Sequence, residues 1–264
     1  MDKNNIAYVN VSCANIYREP TFNCQIESQV VLWEQLEILE QIDDFFLVIT
    51  EDKYKGWINL HQIVQMDSGI DLNFVLISER YVNFYAEPEI KSVIVRDGFC
   101  GIRIPFLSEK NGWIKTTFPD SVTGWVETCN LGNVKKPDSL EIINYAKTFI
   151  GIPYLWGGKT VKGFDCSGFV QFIHKMFSIN LRRDAWMQFE DSNFVSRNPC
   201  GGKPGDLFFF SERGQKVTHV GFVMKPGIIL HCQGMVKIES LNQKNQLFNE
   251  KLFKDFVEIR TFLN

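Results

Sequence analysis

The chain has 264 residues, 45% hydrophobic and 22% charged, with a formal net charge of −3. That length allows two or three small domains with cores of their own, and the slight acidity argues against nucleic acid, which wants a basic face. No stretch is long and apolar enough to span a membrane, and the opening MDKNNIAYVNVSCANIYREP lacks the basic start and apolar run of an export signal, so a cytoplasmic protein with no membrane partner is expected.

The first half repeats itself. Asn15-Ile16-Tyr17-Arg18-Glu19-Pro20 returns as Asn83-Phe84-Tyr85-Ala86-Glu87-Pro88, and Gly56-Trp57-Ile58 returns as Gly124-Trp125-Val126, each at an offset of 68. Residues 1–66 and 72–134 therefore read as two copies of one domain. Each copy shows short strands broken by turns, such as 29–32, 45–50 and 56–60. A unit this small hides its strand edges best as a compact barrel. The tract 108–120 reads as an insertion in the second copy. Residues 132–137 read as a linker, after which Asp138-Ser139-Leu140-Glu141 has the spacing of a helix start. Ile142, Ile143, Ala146, Phe149 and Ile150 form an apolar face that Gly151-Ile152-Pro153 ends. A third domain, 138–264, begins there.

Within it, Gly157-Gly158 and Gly163-Phe164-Asp165-Cys166-Ser167-Gly168 run into a second helix, whose apolar positions are Phe169, Val170, Ile173, Met176 and Phe177. Asp165 is a good N-cap, which puts Cys166 in the first turn, where the helix dipole favours thiolate. A small cysteine filling a gap in the core is the other reading of the same position. The seven cysteines (Cys13, Cys24, Cys100, Cys129, Cys166, Cys200 and Cys232) are scattered and odd in number, which suits reduced thiols and gives no zinc spacing.

The chain has only four histidines. His61 ends the first repeat, and His174 lies two turns along the Cys166 helix, too far to pair with the thiol. His219 and His231 lie on two strand-like runs, 217–224 and 228–232, joined by Lys225-Pro226-Gly227 as a hairpin. With a three-residue loop Met224 faces Ile228, which sets His231 opposite Gly221 and two residues from His219 on one face; Cys232 then points to the other. A cysteine at a helix start, a histidine base and a second polar group to orient it make a nucleophilic triad. Two histidines in a hairpin can also be core or metal-binding residues, but no carboxylate or further cysteine shows ligand spacing beside them, and neither metal nor cofactor is expected.

Tyr154-x-Trp156-Gly157-Gly158, then Gly163-Phe164-Asp165-Cys166-Ser167-Gly168-Phe169, Pro204-Gly205-Asp206-Leu207, His219-Val220-Gly221 and His231 resemble, in order, the NlpC-type cell-wall cysteine peptidases. The resemblance covers 138–264 and implies an α+β, papain-like fold, with Cys166 as nucleophile, His219 as base, His231 as third polar residue and Tyr154 near the oxyanion site. Both repeats resemble bacterial SH3-like domains. Together they suggest the cytoplasmic γ-D-glutamyl-L-diamino acid endopeptidases, which take peptidoglycan stem peptides with a free N-terminal L-alanine. That subgroup implies that Asp165, Ser167 and Asp184 line the substrate site, with Glu19 and Tyr54 of the first repeat closing it. Its Arg-Asp-Ser motif stands here as Arg183-Asp184-Ala185, without the hydroxyl. A lysin that cuts intact wall, with the barrels as wall-binding modules, is the alternative from the same chemistry; a non-catalytic binding protein is the third reading.

Overall fold

In the computed structural model residues 5–66, 72–136, 138–212, 214 and 216–263 are described; Pro137 of the expected linker lies outside them. The chain divides into two units at Val134 and Lys135.

The first unit contains both repeats. Among the described residues, the strands of the first repeat form a seven-stranded sheet ordered Ile26–Val31, Cys13–Tyr17, Lys55–Asn59, Phe45–Ile49, Gln35–Ile42, Ile6–Val9 and Ile63–Gln65. Ala7, Ala14, Val30, Leu36, Val48, Ile58 and Ile63, one from each strand, meet in a single buried cluster. A flat sheet could not bring its two ends together there, so this sheet curls around its own core.

Every element of the first repeat recurs 68 residues later, from Phe74–Ile77 and Val82–Tyr85 through Trp113–Thr117, Thr123–Glu127 and Leu131–Gly132. The strand order recurs as well, split into sheets of five and three because Phe106-Leu107 breaks the counterpart of Gln35–Ile42 into Arg103–Pro105 and Ser108–Lys110. The expected insertion at 108–120 is therefore not one. The tract holds a hairpin, turned at Asn111-Gly112 with both residues at positive φ, in the place of the first repeat's 40–49.

The two repeats are tied together at Trp33. This residue takes φ +67°, rare for a bulky side chain, donates its indole N–H to the Thr117 carbonyl at 3.0 Å and packs edge-on to Phe74. Ser12 donates to Asp97 at 2.9 Å, and Arg96 pairs with both Asp120 and the Asn10 carbonyl.

The second unit is α+β. Helix α1, Ser139–Lys147, starts at Asp138, whose carboxylate accepts the Leu140 and Glu141 N–H groups, and the chain turns out of the helical region at Gly151, φ +92°. Helix α2 is Cys166–Lys175, α3 is Ala185–Asp191 and α4 is Glu250–Asp255. A six-stranded antiparallel sheet runs in the order Asn193–Ser196, Phe256–Thr261, Leu207–Phe210, His219–Lys225, Ile228–Gln233 and Met235–Ser240.

The sheet is covered on both faces. Phe222 packs on Phe169 and His174 of α2, whereas Phe208, Val223, Ile229 and Ile259 face Leu252 of α4. This two-sided cover is why Leu207–Phe210 is apolar at every position, without the alternation of a half-exposed strand. It also changes α2. The apolar spacing predicts one buried face, but every residue from Cys166 to His174 is buried, as befits a helix at the centre of a core. No helix among the described residues is long and apolar enough to cross a membrane.

Candidate active site

Asp165 starts α2, and its carboxylate is fully engaged. Oδ1 accepts the Gly168 N–H at 2.7 Å and the Ser167 hydroxyl at 3.3 Å; Oδ2 accepts the Gly157 N–H at 3.0 Å. The Arg183 guanidinium adds a two-pronged contact, with Nη1 3.0 Å from Oδ1 and Nη2 on Oδ2. Nη1 also donates to Ser167 Oγ at 2.9 Å, and Arg183 is 1% exposed. A carboxylate has about four lone-pair sites, so Asp165 is saturated by the protein itself. Asp165 and Ser167, expected as substrate contacts, are both buried and hold the start of α2. Gly168 serves the same tight joint: a Cβ there would meet the Gly158 carbonyl oxygen at 2.1 Å.

Cys166 is thereby held against the sheet. Its Sγ lies 4.0 Å from the Thr218 carbonyl oxygen and receives the Val220 N–H, so it sits beside the backbone on both sides of His219. The expected thiolate is not the resting form. Burial, followed by the Asp165 charge, pushes the Cys166 thiol up to about 12, and the Val220 hydrogen bond offsets only part of this. Burial, then His231, holds His219 well below its usual 6.5. Both shifts favour the uncharged forms at neutral pH, a thiol at Cys166 and a neutral imidazole at His219.

The hairpin carries His219 and His231 to one face, by a different turn from the one expected. Lys225 pairs with Ile228 across Pro226-Gly227, a two-residue loop with Gly227 at φ +72°, and the register shifts by one between Val223 and Lys225. The bulge restores what the shorter loop would lose, and Phe222 pairs with Leu230 as the three-residue loop requires. His231 therefore sits across from Gly221, where a Cβ would stand 2.6 Å from the His231 Cβ. The rings meet edge to face, 5.0 Å between centroids, with His219 Nε2 2.7 Å from His231 Nδ1. His219 Nδ1 takes no part in this contact.

The constellation has a further member beyond the residues that the sequence motifs point to. His231 Nε2 lies 2.8 Å from Glu239 Oε2, and Asn249 Nδ2 donates to Glu239 Oε1 at 3.0 Å. Burial opposes ionisation of this carboxyl, but the hydrogen bonds from His231 and Asn249 prevail and hold it near 2. The sequence did carry the signal. Gly234 makes a one-residue turn that pairs His231 with Lys237, so Glu239, two positions on, shares the histidine face.

The other expected residues are spread more widely. Tyr154, partly buried, bridges to Phe164, and burial together with the Cys166 and Asp165 charges raises its hydroxyl, which stays a neutral donor. Asp184 precedes α3 and accepts the Trp186 indole N–H at 3.1 Å, while Lys216 Nζ lies 3.6 Å from the centre of that ring. Glu19 and Tyr54 belong to the first unit; Glu19 is exposed, and the Tyr54 hydroxyl donates to Glu27 at 3.3 Å. His174 is buried and stacked on Phe222, its Nδ1 2.9 Å from the Val170 carbonyl, apart from this constellation. Cys232 points to the other face from His231, as strand parity predicts, and its Sγ donates there to the Phe164 carbonyl, 3.1 Å away. No cluster of metal-binding side chains occurs among the described residues.

Comparison with known proteins bears on the family and the fold. The NlpC/P60 family profile matches residues 151–257. Two relatives named gamma-D-glutamyl-L-lysine dipeptidyl-peptidase are similar over most of the chain. The Bacillus cereus protein is 26% identical over 83% of this chain and 71% of its own, and the Bacillus subtilis protein 28% identical over 86% and 79%. A crystal structure of an NlpC/P60 family protein from Bacillus cereus superposes with a TM-score of 0.84 over 98% of this chain and 100% of its own, at 22% identity, which shows the shared fold. The second unit thus has the papain-like architecture of that family, and the chain carries an NlpC/P60 domain and is a cysteine peptidase.

Proposed function

We propose that the chain hydrolyses the bond between γ-D-glutamate and the following diamino acid in peptidoglycan stem peptides whose N-terminal L-alanine is free, as a step in recycling wall fragments in the cytoplasm. The observation that carries the reading is Cys166 at the start of α2 beside the Thr218–Val220 backbone, with His219 joined through His231 to Glu239. The names of the two long Bacillus relatives support the choice of bond.

In this reading the Cys166 sulfur attacks the γ-carbonyl as its proton passes to His219 Nδ1. Backbone N–H groups at the start of α2 and the neutral Tyr154 hydroxyl steady the oxyanion, each donor contributing roughly 3 kcal/mol. The His219 imidazolium protonates the departing amine, and water then releases the acyl group. Asp184 and Glu19 are proposed to meet the substrate ammonium, and Tyr54 to close the pocket. Asp165 and Ser167 border it while holding the start of α2. The N-terminal repeats are proposed to be SH3-like domains.

A lysin would release material from purified sacculi. The recycling reading expects turnover of soluble L-Ala-γ-D-Glu-L-Lys and none from sacculi, with Glu19→Ala and Tyr54→Phe each raising KM for the soluble peptide. Release of soluble fragments from sacculi at a comparable rate would overturn it.

A further inference from the structure

We infer that Glu239 is a positioning residue that sets the tautomer of both histidines and so makes His219 Nδ1 the proton acceptor for Cys166. The inference rests on the proposed roles of Cys166, His219 and His231. It is argued from the order of hydrogen bonds. An ionised carboxylate only accepts, so the Glu239 Oε2 contact at 2.8 Å requires the proton of His231 on Nε2. His231 Nδ1 is then a lone pair, and it accepts from His219 Nε2 at 2.7 Å. With its Nε2 protonated, neutral His219 presents a lone pair at Nδ1. One carboxylate at the far end therefore fixes the direction of the whole line.

Glu239 is itself held. Asn249, which also caps α4, donates to Oε1, and Lys237 Nζ lies 3.2 Å from the same oxygen. His231 is 0% exposed, so its second nitrogen has no access to water and the acceptor must come from the protein. Among the described residues, the charged groups bearing on the two rings are Glu239 and Lys237 of the Met235–Ser240 strand and Lys251 of α4, which is paired with Glu212 and Asp255.

The carboxylate also stabilises the imidazolium that forms during attack. Without it, transfer of the thiol proton to His219 is disfavoured, and thiolate appears only by direct ionisation at higher pH. The test follows kcat and KM on L-Ala-γ-D-Glu-L-Lys, and the rate of Cys166 alkylation by iodoacetamide against pH, read on the Cys166 peptide by mass spectrometry. Glu239→Gln is expected to lower kcat by about 10²-fold with KM nearly unchanged, and to move the rise in alkylation to higher pH. Glu239→Asp should recover part of both. A Glu239→Gln protein with parental kcat and an unshifted alkylation profile, beside an inactive Cys166→Ala protein, would overturn the positioning role alone. An active Cys166→Ala protein would overturn the site reading beneath it.

Discussion

Cys166→Ala is expected to abolish peptide hydrolysis, with kcat falling by about 10⁶-fold, the scale seen when a hydrolase loses its nucleophile. The side chain removed is small, and Asp165, Ser167 and Arg183 hold the start of α2 without it. Thermal unfolding should therefore stay within about 1 kcal/mol of the parent. The check is turnover together with a melting curve. Residual hydrolysis near the parental rate in a folded Cys166→Ala protein would remove Cys166 from the chemistry.

The second large effect falls on stability. Arg183 is the cation of a buried pair, and its removal leaves the Asp165 carboxylate charged and enclosed. Arg183→Met is expected to cost about 3–5 kcal/mol, the usual result of breaking one side of a buried ion pair. Arg183→Lys should recover little, because one ammonium cannot reproduce the two-pronged contact with Asp165 or reach Ser167 at the same time. The combination Asp165→Asn with Arg183→Met should cost less than the sum of the two, since neither then strands a charge. Denaturant unfolding of the four proteins measures this coupling, and strict additivity would contradict the pairing. Activity should fall with stability, because Asp165 also fixes the backbone that carries Cys166.

The contrast between these two residues shows what the sequence could and could not reveal. Cys166 was legible because a glycine-rich approach, an N-cap and a change of periodicity all meet at one position. Arg183 lies 18 positions from Asp165 and was read only as part of a motif, because nothing in residue spacing says that a loop returns a guanidinium to the foot of α2. The repeat was legible for a related reason. Both copies keep the same spacing between elements, so their offset of 68 survives from Ile6 to Gly132. The supposed insertion came from a local break at Phe106-Leu107, which alters the sequence pattern without altering the chain length.

Parity carried the histidine pair across an error in the turn. A two-residue loop and a bulge give the register of a three-residue loop, so His219 and His231 share a face either way. The protonation of Cys166 was not legible. The helix dipole can be read from the position of an N-cap, whereas the desolvation that outweighs it depends on what packs around the sulfur. Glu239 was legible in principle from the Gly234 turn and the alternation that follows it. Nothing in the residue types points to it, because Cys166, His219 and His231 already complete a triad.

The bond that is cut and the state of the amine bear most directly on the proposed activity. The measurement is product analysis by mass spectrometry after incubating the full chain with L-Ala-γ-D-Glu-L-Lys and with its N-acetylated form. The account predicts the dipeptide L-Ala-γ-D-Glu and free lysine from the first, and turnover of the second slower by at least about 10²-fold, as expected when a site built for a charged ammonium meets a blocked one. Release of free alanine, or equal rates on the two peptides, would contradict it.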